Sequence, residues 1–183
     1  MKTHKILFLG LSVLALSSCS DFLDKKPLVE TSVQTYYSSD TEANTAIVGV
    51  YSHMQNEGFE LAPFMIVGDD CSDDCDLGNS YSDAYSWLGP VAMSLQKFDN
   101  VSTNWLANQL WGEALGGVTW ATQAIQSITA NSSKLTESKK NQYLGEAYYM
   151  RAFYYFFLTR QYGRMPIIDH VLSYSEYYEP RAT

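Results

Sequence analysis

Basic residues are few in this 183-residue chain: 12 Lys and Arg stand against 20 Asp and Glu, giving a net charge of −8. The pI near 4.7 lacks the basic footprint of a nucleic-acid binder. Charged residues amount to only 17% against 46% apolar residues, which excludes a disordered protein. No apolar run reaches the roughly 18 to 20 residues of a membrane-spanning helix. Histidine is limited to His4, His53 and His170, and none has ligand partners at metal spacing. Cysteine is limited to Cys19, Cys71 and Cys75. The C-x3-C pair closes a very small loop, so a disulfide is geometrically demanding, and two thiols are equally open. With no histidine nearby, the pair makes a poor zinc site. What the chain does have is aromatic side chains: 14 Tyr, 8 Phe and 4 Trp. The use of those rings is the main functional question.

The first residues read as an address. Lys2 and Lys5 are followed by an apolar run from Ile6 to Leu16, the length of a signal h-region. It ends in Leu16-Ser17-Ser18-Cys19, which resembles the lipobox of bacterial lipoproteins, where small residues precede a lipidated Cys. Residues 1–18 are then a signal peptide whose removal takes away Lys2 and Lys5, and Cys19 is the lipid anchor. Stable attachment needs more than one acyl chain. The polar stretch with Pro27 that follows reads as a tether, placed at residues 19–37, that lifts the domain off the membrane.

Three long helices are expected from residue 38 onward. Ser39 and Glu42 have capping-box spacing, and Ala43, Ala46, Ile47, Val50, Tyr51 and Met54 form one apolar stripe that Gly58 ends. A second helix is expected from about Thr103 to Ala130, with Leu106, Leu110, Leu115, Val118, Ile125 and Ile128 on one face. Gly116-Gly117 in its middle costs helix propensity, which points to a neighbour at close approach. After a turn at Asn131 to Lys134, a third helix is expected from Glu137 to Tyr162, with Gly163 as C-cap and Pro166 beyond. The last two helices form an αα-hairpin. Tyr143, Leu144, Ala147, Met150, Phe153, Tyr154, Phe157 and Leu158 mark the buried side of the third helix. Its further rings Tyr148, Tyr149, Tyr155 and Phe156 predict that it is sandwiched between other helices. Residues 59–100 show no sustained period, and loops of that length are usually functional or disordered. The fold class is all-α, with helical hairpins and one long irregular loop.

The third helix reads Gly145-Glu146-Ala147, then Arg151-Ala152 and Tyr155-Phe156, and continues to Tyr162-Gly163 and Pro166. With the Leu-Ser-Ser-Cys lipobox, Asp21-Phe22-Leu23-Asp24 and Ser72-Asp73-Asp74, this resembles the SusD/RagB family of outer-membrane nutrient-binding lipoproteins. Trp111 matches the Trp that opens the next family helix, and Thr122 stands where many members carry Asn. The resemblance implies a tetratricopeptide-like array of helical hairpins. It implies that residues 38–183 are the N-terminal, incomplete portion of such a protein, since members are much longer. It implies a surface-exposed, lipid-anchored protein of the cell outer membrane that captures oligosaccharide. The cargo passes to a SusC-like TonB-dependent transporter, with no bond made or broken and no cofactor. An alternative is a helical-repeat adaptor that binds the transporter without its own glycan site.

The candidate contact set lies in the long loop. Trp87, Tyr85 and Tyr81 offer flat rings to the C–H faces of sugars, and Asn79, Asp73 and Asp83 offer hydrogen bonds. The competing reading packs these rings onto the helices. Asp69 to Asp76 reads as a calcium site, as paired carboxylates, or as loop-capping side chains. The last is the expectation, because the run lacks the order of an EF-hand and Asp favours turns. Glu146 and Arg151 are expected to fix helix packing rather than touch cargo.

Overall fold

The computed structural model describes residues 36–56, 68–69, 71–76, 78, 89–99 and 101–182. The α-helices are α1 (Asp40–Ser52), α2 (Gly89–Gln96), α3 (Trp105–Ala130) and α4 (Glu137–Tyr162), and no strand occurs among the described residues. The chain is all-α.

Each start has a local cause. The Ser39 hydroxyl accepts from the Glu42 N–H at 3.3 Å and caps α1. The Glu42 carboxylate reaches one residue further back than a capping box requires, accepting from the Ser38 N–H and hydroxyl at 2.8 and 2.7 Å. These bonds hold its carboxyl below the usual carboxylate range. The helix ends earlier than the stripe suggested: Ser52 is its last α-helical residue, and His53–Gln55 tighten into a 3-10 turn. In α3 the start moves to Trp105, because the Asn104 side chain accepts from the N–H groups of Leu106 and Ala107. Trp111 thus lies in the second turn of that helix, not at its opening. Gly163, at φ +72°, ends α4 as expected.

The helices α3 and α4 run antiparallel. Ala107 meets Tyr162, Gly117 meets Tyr154 and Thr122 meets Arg151, so one numbering rises as the other falls. Along α4, α1 runs parallel, from the Asp40 carboxylate on Thr136 to the Val50 carbonyl on Tyr154. The core between them holds Ile47, Val50, Leu110, Val118, Ile128, Met150, Tyr154 and Leu158. Tyr37 is buried in the same core, with Tyr36 packed beside it. Burial pushes the phenol of Tyr37 up to about 12.

Gly117 explains how so large a ring fits. A Cβ there would lie 2.4 Å from the Tyr154 ring, so only glycine allows α4 this close. The Tyr154 hydroxyl donates to the Val50 carbonyl at 3.0 Å, so one ring ties all three helices. Its neighbour Gly116 makes room for His53, whose Nε2 would be 3.2 Å from an added Cβ. The close approach foreseen for this glycine pair is therefore two approaches, one by a residue of α4 and one by the turn after α1.

Two segments without helical period complete the structure. The short helix α2 breaks the aperiodic stretch expected over 59–100; its Ala92 and Leu95 pack on Leu106 in a small separate cluster. Eight residues are too few for periodicity to reveal a helix. After Gly163 the chain runs back along the hairpin. Met165 and Ile168 are buried, and the Ile168 carbonyl accepts from the buried Thr122 hydroxyl at 3.3 Å. The Tyr155 hydroxyl donates to the Pro166 carbonyl and accepts from the Ile168 N–H. This returning segment covers one outer side of α4. Tyr148, Tyr149 and Phe156 remain exposed, so the sandwich expected for this helix is open among the described residues.

Candidate functional site

Grooves cut the described surface at several places. One lies between α1 and α3, with a volume of about 340 Å³, and is lined in part by Tyr36, Thr45, Gly49, Thr119, Trp120 and Gln123. A second, of about 530 Å³, lies between α3 and the returning segment beside Trp111, Tyr177 and Tyr178. A third, of about 310 Å³, runs along α4 past Tyr148, Arg151, Tyr155 and Asp169.

The first groove is built around a held tryptophan. Trp120 is half exposed, and its indole stacks on the His53 imidazole, with centroids 5.3 Å apart and planes at 26°. His53 is fixed in turn: its Nε2–H donates to the Glu113 carbonyl at 2.7 Å, which leaves the proton on that nitrogen. Tyr154 meets the same imidazole edge-on at 6.0 Å, and the Glu113 carboxylate lies 3.7 Å from Nε2. The indole is thus anchored through His53 to α3 and α4. Across the groove, a Cβ on Gly49 would sit 3.9 Å from the indole, in ordinary contact. Sequence reasoning missed Trp120 because it lies off the apolar stripe of its helix and belongs to no motif. His53 thus packs between Trp120 and Tyr154.

In the second groove, Trp111 is half-buried and meets Tyr162 edge-on at 5.1 Å. The Tyr162 hydroxyl donates to the Ala107 carbonyl, and burial pushes that phenol up to about 12. The third groove has Arg151 on its floor. One of its nitrogens donates to the Thr122 hydroxyl at 3.4 Å and to the Asp169 carbonyl at 3.5 Å. Arg151 therefore joins α4, α3 and the returning segment, the packing role expected of it. Glu146 instead accepts from Gln142 on its own helix.

Of the candidate contact set, only Asp73 lies among the described residues; Trp87, Tyr85, Tyr81, Asn79, Asp83 and the anchor Cys19 lie outside them. Asp73 is exposed in the acidic turn. There the Ser72 N–H and hydroxyl donate to the Asp69 carbonyl, and Asp76 accepts from the Gly78 N–H at 2.7 Å. These are turn-capping bonds. The Gln96 amide donates to the Cys75 carbonyl at 3.3 Å, and half-buried Cys71 packs beside α2. Among the described residues, no group of three His, Cys, Asp or Glu side chains is placed to hold a metal ion.

With this geometry in place, the comparisons with known proteins fix the class. Over residues 21–183 the chain matches the SusD-like family described as "Starch-binding associating with outer membrane", and it belongs to that family. SusD-like protein P2 of Formosa agariphila is 29% identical over 176 residues, covering 94% of this chain and 32% of that protein. SusD-like protein P25 of the same organism is 20% identical over 176 residues, covering 96% and 33%. The chain thus spans about a third of the length of these curated relatives. No solved structure matches it.

Proposed function

We propose that this chain is the glycan-capturing front portion of a lipid-anchored protein on the surface of the outer membrane. The observation that carries the reading is the family match over residues 21–183, whose description joins starch binding to the outer membrane. Residues 1–18 direct export, Cys19 carries the lipid, and the tether expected over 19–37 gives way to the incomplete SusD-like helical region before Tyr36 and Tyr37, which pack in its core. Trp87, Tyr85 and Tyr81 stack on sugar rings, with Asn79 and Asp73 bonding hydroxyls. The protein works by capture and handover to a SusC-like TonB-dependent transporter, without catalysis.

The test is native electrophoresis of the full chain in detergent through gels containing soluble starch. Retardation relative to a starch-free gel supports the reading, and its loss in Trp87→Ala with an unchanged melting curve places the loop at the contact. Absence of retardation removes the glycan reading. The exposed rings Tyr149 and Phe156 on α4 favour one second reading, an adaptor that binds only the transporter. Co-purification of the transporter without starch retardation would select it.

A further inference from the structure

We infer that the groove between α1 and α3 is a second carbohydrate subsite, with Trp120 as its platform and a neutral oligosaccharide as its ligand. This rests on the glycan reading above but on different residues, all of them in the helical scaffold rather than the long loop.

Three features of the groove select that ligand. First, among the described residues it is lined by no charged side chain, although the chain has a net charge of −8. An ionic ligand would find no partner there, whereas a neutral one loses nothing. Second, its rim is polar and neutral. The hydroxyls of Thr45 and Thr119 donate to carbonyls of their own helices, each at 3.0 Å, and so retain acceptor lone pairs. The Gln123 amide supplies both donor and acceptor. Hydroxyl-rich ligands present donors and acceptors together, which matches this set. Third, the apolar element is a flat ring held in place. Trp120 is about half exposed yet stacked on His53, which is bonded to the Glu113 carbonyl and seated against Gly116. A platform already ordered loses little freedom on binding. The volume of about 340 Å³ falls within the range of small-ligand sites. Flat apolar surface beside neutral hydrogen-bonding groups is the surface a sugar ring presents in return.

The test uses the full chain in detergent, soluble starch in native gels as the probe, and four variants. Trp120→Ala removes the platform. Gly49→Leu extends a side chain into the groove from the opposite wall, where its Cβ makes only ordinary contact. Trp120→Phe retains a ring, and Trp87→Ala alters the loop alone. The expected result is retardation of the wild type, weakened about three- to tenfold in Trp120→Ala and Gly49→Leu. Trp120→Phe should restore much of it, and melting curves should be unchanged. If the wild type is retarded and Trp120→Ala and Gly49→Leu migrate like it, the subsite is overturned while the glycan reading stands. If the wild type itself is not retarded, the glycan reading falls and the subsite with it. If Trp120→Ala weakens binding and Trp87→Ala does not, the subsite stands and the loop contact falls.

Discussion

The three-helix core and the small cluster under α2 are held together in different ways. In the core, long apolar stripes from α1, α3 and α4 meet, and one tyrosine seated on one glycine locks them. Under α2, Ala92, Leu95 and Leu106 supply little apolar area, and a polar residue joins the elements. Asn104 is buried and uses both ends of its amide. Its oxygen caps α3, and its nitrogen donates to the Val91 carbonyl at 3.2 Å and the Ser94 hydroxyl at 3.1 Å. The contrast teaches that apolar periodicity suffices where helices are long, and that a satisfied polar residue substitutes where an element is too short to bury a face. Among the described residues, no buried side-chain nitrogen or oxygen lacks a partner.

The sharpest way to break this comparison is at the tyrosine seat. Gly117→Ala should destabilise the whole protein by about 1–3 kcal/mol through overpacking against Tyr154. Gly112 lies in the same helix with open space around it, so Gly112→Ala should instead gain about 0.5–1 kcal/mol. Thermal melts of the pair read the difference directly; equal shifts would remove the close-approach argument.

Next in size is Asn104→Ala, which strips a helix cap and two bonds to α2. A loss of about 1–2 kcal/mol is expected. Hydrogen exchange should show it concentrated in residues 89–99 and the first turn of α3. A uniform loss across α1 and α4 would mean that Asn104 belongs to the main core.

A smaller effect, of opposite sign, is expected at Phe98. It adopts φ 53° at the end of α2, where the Asp99 N–H reaches back to the Ser94 carbonyl and the Phe98 N–H to that of Leu95. That is the left-handed closure that glycine prefers, and the ring is 80% exposed. Phe98→Gly should stabilise the cluster by about 0.5–1 kcal/mol, read by the same exchange experiment.

The smallest effect lies farther along the returning segment, around His170, a residue that neither cluster includes. His170 sits between two carboxylates, 2.8 Å from Asp169 and 3.3 Å from Glu176. Hydrogen bonds to Asp169 and then Glu176 raise its pKa above the usual histidine value. Bonds from Ser173, and then His170, hold Glu176 down at about 2, and the bond to His170 holds Asp169 low. A raised histidine contributes stability that is lost as pH rises through its folded value; lowered acids contribute stability that is lost as pH falls. The turn at 173–176 should therefore be best ordered between about pH 4.5 and 6.5. An NMR titration should place His170 above 6.5, and Glu176→Gln should lower its midpoint. Asp169 is exposed and His170 and Glu176 are partly so, so added salt should shrink the shift.

Much of this fold was legible in the chain. Apart from Tyr51, which is exposed, the stripes of α1 and α3 and the buried side of α4 lie where the 3.6-residue period puts them, because these helices are long enough for the pattern to repeat. Leu144 and Phe153, expected to be buried, are only partly so, since they lie at the margin of the stripe. The candidate contacts were legible only as residue types. Aromatic rings and amides in a loop mark sugar-binding chemistry, but spacing in a loop does not fix direction, and only exposed Asp73 lies among the described residues.

What the sequence by itself determined is the all-α class, the antiparallel hairpin and the family, because each rests on local periodicity, caps or an uninterrupted motif. Only the tertiary structure decided which glycine admits Tyr154, why Arg151 reaches Asp169, and that Trp120 stands over a groove on an imidazole from another helix. Those facts depend on residues far apart in the chain brought to within a few ångströms, and no repeat along one helix encodes which neighbour arrives at its outer face.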